Sequence, residues 1–265
     1  MPGRDPDDLG RRPAAERGDP ARRGLIEEGL SRLGIEAEEW QRAALERYLD
    51  ELELWNRKRG LVNAEGRELV VRHLFDSLSG LAVVRRELEW ATGRGPADTS
   101  PPRPTARQAA PGRPARQRSA PPTVFDLGSG GGFPGIPLSV FLPTARVSLV
   151  ERSRSKCAFL KSARAVAGFR NTTVSCCSAE ELETTADVVV FRALCAVDGE
   201  RARMLAGLLR PGGAVVAYKG TWESVAPEAE AARESFGEVE LIPVEVPMLS
   251  EERYLLVLRS SRASS

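Results

Sequence analysis

Asp126-Leu127-Gly128-Ser129-Gly130-Gly131-Gly132-Phe133-Pro134-Gly135 follows directly on the apolar run Thr123-Val124-Phe125. A β-forming run that breaks into glycines and resumes as Gly135-Ile136-Pro137-Leu138 predicts a strand, a tight loop and a helix. In that arrangement backbone N–H groups and a helix N-terminus meet a nucleotide-like ligand. The glycines can be parsed in two ways. From Gly130, the spacing Gly130-x-Gly132-x-x-Gly135 fits the dinucleotide fingerprint letter for letter. Glu151, nineteen residues after Gly132 at the end of Val147-Ser148-Leu149-Val150, supplies a carboxylate for ribose hydroxyls under either parsing. Asp126 separates them. A carboxylate two residues before the first glycine stands close to where a dinucleotide places its doubly negative pyrophosphate, and repels it. S-adenosylmethionine carries a sulfonium and an ammonium, which the same Coulomb force attracts. The residues favour a methyl donor over NAD, with a bare tight turn as the structural alternative.

A chain of 265 residues with 42% hydrophobic content suffices for one full-sized α/β domain and a small appendage. No run approaches the roughly 18 apolar residues of a membrane span, and Met1-Pro2-Gly3-Arg4-Asp5-Pro6-Asp7-Asp8 offers no apolar signal region, so a cytoplasmic protein is expected. Cys157, Cys176, Cys177 and Cys195 show no C-x-x-C spacing and His73 is the only histidine, which argues against a metal site. The net charge of +1 is unevenly distributed. Residues 93–122 hold six arginines against one acid and eight prolines, residues 1–24 hold six arginines against five acids, and the remainder is left at −5. Both segments lack the apolar side chains that ordering requires and are expected to be disordered: a tail over 1–24 and a Pro/Arg-rich insert over 93–122. Affinity of the folded body for RNA must then come from a local patch.

Residues 25–92 predict an N-terminal helical cap. Leu25, Ile26, Leu30 and Leu33 step at helical spacing until Gly34; a longer helix from Glu36 carries Trp40, Ala44, Tyr48, Leu52 and Trp55 on one stripe and ends in Arg57-Lys58-Arg59. A third helix holds Val70 to Leu78, with His73 and Asp76 read as a surface pair, and a fourth begins near Leu81. From Thr123 onward, strands expected at 123–127, 146–151, 172–176, 187–191 and 213–219 alternate with helices, the pattern of a parallel sheet. Two last strands, Glu238 to Val246 and Arg253 to Leu258, predict an antiparallel hairpin at the sheet edge. The expected fold is α/β: a Rossmann-like methyltransferase sheet over 123–265, behind the helical cap.

The runs Asp126 to Pro137, Arg72-His73-Leu74-Phe75-Asp76-Ser77-Leu78, Arg192-Ala193 and Tyr218-Lys219-Gly220 resemble the RsmG (GidB) family of bacterial 16S rRNA guanine-N7 methyltransferases. The resemblance spans about residues 25–92 and 123–260, and the extension Phe133-Pro134-Gly135-Ile136-Pro137 makes it more specific than a bare glycine motif. The family's usual W-N-x-x-x-N-L-T reads here Trp55-Asn56-Arg57-Lys58-Arg59-Gly60-Leu61-Val62, and typical members lack the proline-rich insert. What the resemblance implies is S-adenosylmethionine consumed as methyl donor, 16S rRNA or the small ribosomal subunit as partner, and Gly128, Phe133, Ala179, Glu180 and Arg192 as donor contacts. Asp126 and Glu151 join them on the charge argument, with Phe133 equally readable as packing under the loop. Arg192 and Lys219 are positioning candidates, Lys219 toward an RNA phosphate or base oxygen.

No acid or base is assigned, because guanine N7 has a free lone pair and no proton to lose. Arg152, Arg154, Lys156, Lys161 and Arg164, with Arg57-Lys58-Arg59, are the candidate RNA face, or else a solvated helix surface. Two other functions stay open at this point: a non-catalytic RNA-binding module on the same fold, which would not bind the donor, and a nicotinamide-dependent oxidoreductase, for which the chain has no sixth parallel strand.

Overall fold

The computed structural model describes residues 19–92 and 120–260. The expected insert, apart from its last three residues, and most of the expected tail lie outside them. The first helix nonetheless starts ahead of the boundary expected at residue 25. α1 (Pro20–Arg32) opens with proline in its first turn, and the Asp19 side chain accepts the Ala21 N–H at 3.0 Å, a start signal spelled out locally. Arg22, on its first turn, pairs with Asp50 and Glu53 of α2 (Glu39–Arg59). In α2 the buried residues are Gln41, Ala44, Leu45, Tyr48, Leu49 and Leu52. Trp40 falls off that face, 49% exposed, with its indole donating to Glu38 at 2.7 Å, so the expected stripe is correct only from Ala44 onward. Gly60 ends α2 at a φ of +58°, after the three basic residues in its last turn.

α3 (Gly66–Leu69) and α4 (Asp76–Ser79) are joined by a π-helical stretch, Val70–Phe75, and α5 (Leu81–Ala91) follows at once. The sheet comprises β1 (Thr123–Leu127), β2 (Arg146–Val150), β3 (Thr172–Ser175), β4 (Ala186–Arg192), β5 (Leu209–Lys219), β6 (Glu238–Pro243) and β7 (Tyr254–Arg259), in the order β3-β2-β1-β4-β5-β7-β6. The first five pair in parallel, while β7 lies antiparallel to both β5 and β6. The connecting helices are α6 (Gly135–Phe141), α7 (Arg154–Ala167), α8 (Gly199–Gly207) and α9 (Trp222–Ala232).

Strand alternation divides the interior into two layers. Val188 and Val190 face a core shared with α1, α2, α5, α6 and α7; Val189 and Phe191 face α8 and α9. The N-terminal helices are therefore part of the sheet's own core. The chain runs β1, β2, β3 outward on one side and returns through β4 on the other. The order thus reverses between β1 and β4, where open α/β sheets bind ligands outside the carboxyl ends of the strands.

Candidate active site

The glycine loop leaves β1 at that reversal. Gly128, Gly130 and Gly132 take φ values of +65°, +53° and +92°, a left-handed run that side chains resist. The Gly128 and Ser129 N–H groups donate to the Val150 carbonyl at 2.8 and 3.1 Å, and the Gly132 N–H to the Ser129 carbonyl at 2.6 Å. Below the loop, Tyr48 donates its hydroxyl to the Gly131 carbonyl at 2.5 Å. Asp126 is buried, 0% exposed, and its Oδ2 accepts the Gly135 N–H at 3.0 Å while Oδ1 has no partner. Burial pushes its carboxyl up to about 7, against the Gly135 hydrogen bond, which favours the charge; the Ser129 hydroxyl donates to the Asp126 backbone carbonyl at 2.9 Å. Asp126 is thus the loop's inner anchor and has no surface open to a ligand, a correction to its expected direct attraction of the donor.

The same bond separates the two parsings more sharply than charge alone. In a dinucleotide enzyme the first amides of this helix meet pyrophosphate; here the Gly135 N–H is already taken by the protein's own carboxylate. Space agrees, since a Cβ on Gly135 would lie 2.4 Å from Asp126 Oδ2. Glu151, at the end of β2, is also engaged: Oε2 accepts the Gly130 N–H at 3.0 Å and Oε1 the Ser153 N–H at 2.8 Å, tying the loop to the start of α7. Ala179 and exposed Glu180 occupy a single 3-10 turn, Ala179–Glu181, beyond β3. The Glu180 carboxyl is held low by its own backbone N–H and the Ser178 hydroxyl, with a smaller contribution from Arg152.

Phe133 is buried beneath the loop, edge-on to Tyr48 with ring centroids 5.5 Å apart and stacked on His73 at 5.2 Å. The structure supports the packing reading of its side chain. Arg192 lies over the same ring at 5.2 Å. Its Nη1 donates to the Arg72 carbonyl at 2.8 Å and to Asp76 Oδ2 at 3.0 Å, and its Nη2 bonds His73 Nδ1. Burial first, then the Arg192 and Arg72 charges, lowers the His73 ring to about 3, so the imidazole is neutral and its Nδ1 accepts. His73 and Asp76, expected as a surface pair, instead converge on Arg192. The π-helical stretch presents both His73 and the Arg72 carbonyl, an irregularity found at functional sites. Nothing in the apolar periodicity signals it.

Lys219 donates to the Cys195 carbonyl at 2.9 Å and pairs with Glu228 at 2.6 Å, while Glu228 accepts the Val197 N–H at 2.6 Å. It fastens the loop after β4, where sequence reading expected a cation turned to RNA. That loop carries Ala193 at a φ of +50° and Leu194, whose Cδ1 sits 2.5 Å from where a Cβ on Gly128 would stand. Beside it opens a cavity of about 490 Å³, lined by Asn63, Arg72, Asp76, Arg192, Lys219 and Arg253 among others. Asp76 holds two guanidiniums, Arg192 on Oδ2 and Arg253 on Oδ1 at 3.3 Å. None of the α7 cations, nor Arg57, Lys58 or Arg59, lines it. Arg152, Arg154, Lys161 and Arg164 are exposed and Lys156 is half-buried on α7, whose inner face packs on α2 through Trp55 and Phe159.

A self-capped glycine loop at the sheet's reversal, with a carboxylate at the end of the next strand, is the arrangement of a Rossmann-like α/β fold with its ligand crevice at the reversal. Sequence similarity narrows the class. Residues 114–257 match the family described as rRNA small subunit methyltransferase G, GidB. The ribosomal RNA small subunit methyltransferase G of Cupriavidus necator is 32% identical over 259 residues, covering 93% of this chain and 98% of that protein. Its counterpart in Treponema denticola is 28% identical over 244 residues, covering 89% and 93%. Likeness to solved structures is looser: an S-adenosylmethionine-dependent methyltransferase, SibL, overlays with a TM-score of 0.45 at 15% identity, covering 53% of this chain and 51% of that one. The chain belongs to the rRNA small subunit methyltransferase G family and is an S-adenosylmethionine-dependent enzyme of small-subunit rRNA methylation. Among the described residues no helix is long and apolar enough to cross a membrane.

Proposed function

We propose that the enzyme methylates N7 of a guanine in 16S rRNA, with the donor in the crevice between the glycine loop and the loop after β4, and the target base in the adjoining Arg192 cavity. The observation that carries the donor assignment is the Gly135 N–H bonded to Asp126: this helix start is closed to pyrophosphate, while the space in front of Gly128 is held only by the side chain of Leu194, 40% exposed, which the donor moves aside. In this reading Gly128, the backbone of Phe133 and Arg192 meet the methionine part, Glu151 the ribose hydroxyls, and Ala179 with Glu180 the adenine. The donor supplies an electrophilic methyl on a sulfonium, and the chain's residues hold the two reactants in line and exclude water. The ionisable groups around the crevice suit a nucleophile with no proton to lose. His73 is neutral with Nδ1 engaged, Asp126 is sealed, and Arg192 is fixed by three acceptors. The α7 cations serve as outer phosphate contacts, and the protein works in the cytosol, where its rRNA is.

The test is incubation of unmodified small-subunit rRNA and small subunits with methyl-labelled donor, followed by borohydride reduction and aniline scission, which cuts at 7-methylguanosine. Label together with one scission point supports the reading; label without scission places the methyl on another atom and overturns it. Calorimetric titration with S-adenosylmethionine alone separates an enzyme from an RNA-binding module that does not hold the donor.

A further inference from the structure

Trp222 is 50% exposed, and its ring lies 5.9 Å from that of Tyr254, inclined by 60°. A tryptophan buries 150–250 Å² when packed, so one left half in water contributes little to holding the fold together. Neither ring lines the cavity that the preceding reading gives to the target guanine, but both residues follow closely in sequence on ones that do. Trp222 opens α9 directly after Lys219-Gly220-Thr221, and Lys219 and Gly220 line that cavity. Tyr254 opens β7, opposite Lys219 in register, and follows Arg253, also a lining residue. Guanidiniums lie on the same side: Asp76 is shared by Arg192 and Arg253 and so neutralises only one of them, while Arg72, with 42% of its side chain exposed, pairs with Glu68 at 2.8 Å and Glu251 at 2.6 Å.

A half-exposed tryptophan against a half-buried tyrosine, next in the chain to guanidinium and lysine side chains that line a cavity of about 490 Å³, fits single-stranded RNA, whose bases stack on aromatic side chains whatever their sequence. We propose that Trp222 and Tyr254 form a stacking platform for an unpaired nucleotide next to the target guanine, with Arg253 and Arg72 on the connecting phosphates. The platform builds on the assignment of the cavity to the guanine. It moves the main RNA entry to the β5–β7 side of the molecule, away from α7. Only an unpaired base offers a free face to the rings, so the platform selects a looped or splayed target.

Two measurements test this. In the first, Trp222→Ala raises the KM for small-subunit rRNA roughly 5- to 150-fold, the range for loss of one stacked base, leaves donor Kd unchanged, and is largely rescued by Trp222→Phe. In the second, a short single-stranded oligoribonucleotide quenches tryptophan fluorescence of the wild-type protein. The quench is lost in Trp222→Phe and weak with the matching duplex. An unchanged KM in Trp222→Ala, a weakened donor Kd in that variant, or equal quenching by duplex overturns the platform. If the wild-type enzyme methylates no small-subunit rRNA, the functional reading falls, and the oligonucleotide titration still decides the platform by itself.

Discussion

Gly128 stands at the floor of the crevice with a φ of +65°, where its missing side chain is the point. Gly128→Asp should keep the fold, because aspartate tolerates the left-handed region and Leu194, 40% exposed, has room to move aside. The new carboxylate then fills the donor's place. Calorimetry should find no S-adenosylmethionine binding alongside a native circular dichroism spectrum; unaltered affinity would remove the loop from the donor site. Glu151→Gln cannot be silent, since both carboxylate oxygens accept backbone N–H groups and an amide NH2 would face one of them. Donor affinity should fall by about 1.5–3 kcal/mol. Asp126 gives a pH signature. Its folded-state value of about 7 lies above the ordinary 3.8, so an unfolded chain ionises first and stability falls as pH rises from about 4 to about 7. His73 acts in the opposite sense: lowered to about 3, it favours the folded state above its ordinary 6.5 and loses that contribution as pH falls. Asp126→Asn keeps an acceptor for Gly135, so urea unfolding of variant and wild type at pH 5 and pH 8 should show the variant losing less stability toward pH 8. Parallel pH profiles would show that the buried carboxyl is ionised throughout.

At the scale of elements, the edge hairpin was legible because its two runs leave no length for a crossover. What fastens it to the molecule was not. Arg259 on β7 grips Glu87 of α5 with two bonds, Nε to Oε2 at 2.7 Å and Nη2 to Oε1 at 2.8 Å, and also reaches Glu240 at 2.7 Å. Glu87 is 1% exposed. Burial of the pair is weak evidence of net stabilisation, and removing Arg259 leaves the buried Glu87 with Arg86 alone, at 2.8 Å. Arg259→Leu should therefore destabilise by about 1–3 kcal/mol in thermal or urea unfolding, and adding Glu87→Leu should recover part of it. An Arg259→Leu protein that unfolds with the wild type would show the ion pair to be idle. The π-helical stretch before Asp76 is the element that sequence pattern misses altogether, because Val70, Val71, Leu74 and Phe75 satisfy ordinary helical spacing.

For the whole molecule, Thr92 and Pro122 line a common cavity with Phe141 and Leu142, so the ends of the expected insert lie close together. Replacing residues 93–119 by a short glycine-containing bridge should preserve folding and donor affinity, since loop length enters stability only logarithmically. If its arginines contact phosphates, the deletion also flattens the salt dependence of RNA binding; an unaltered slope assigns that dependence to the folded surface. The sequence by itself determined the sheet, the glycine loop, the antiparallel edge and the family, because strand period, glycine spacing and a signature such as Phe133 to Pro137 are local properties of neighbouring residues. Only the tertiary structure decided what the ionisable groups do. Arg192 receives His73, Asp76 and the Arg72 carbonyl from positions 116 to 120 residues away; Asp126 is sealed under the loop its charge was expected to serve; and Lys219 is spent on Glu228 and the Cys195 carbonyl. A side chain's charge is written at its own position, but its partners and its exposure to water are set by elements that pack against it from elsewhere in the chain.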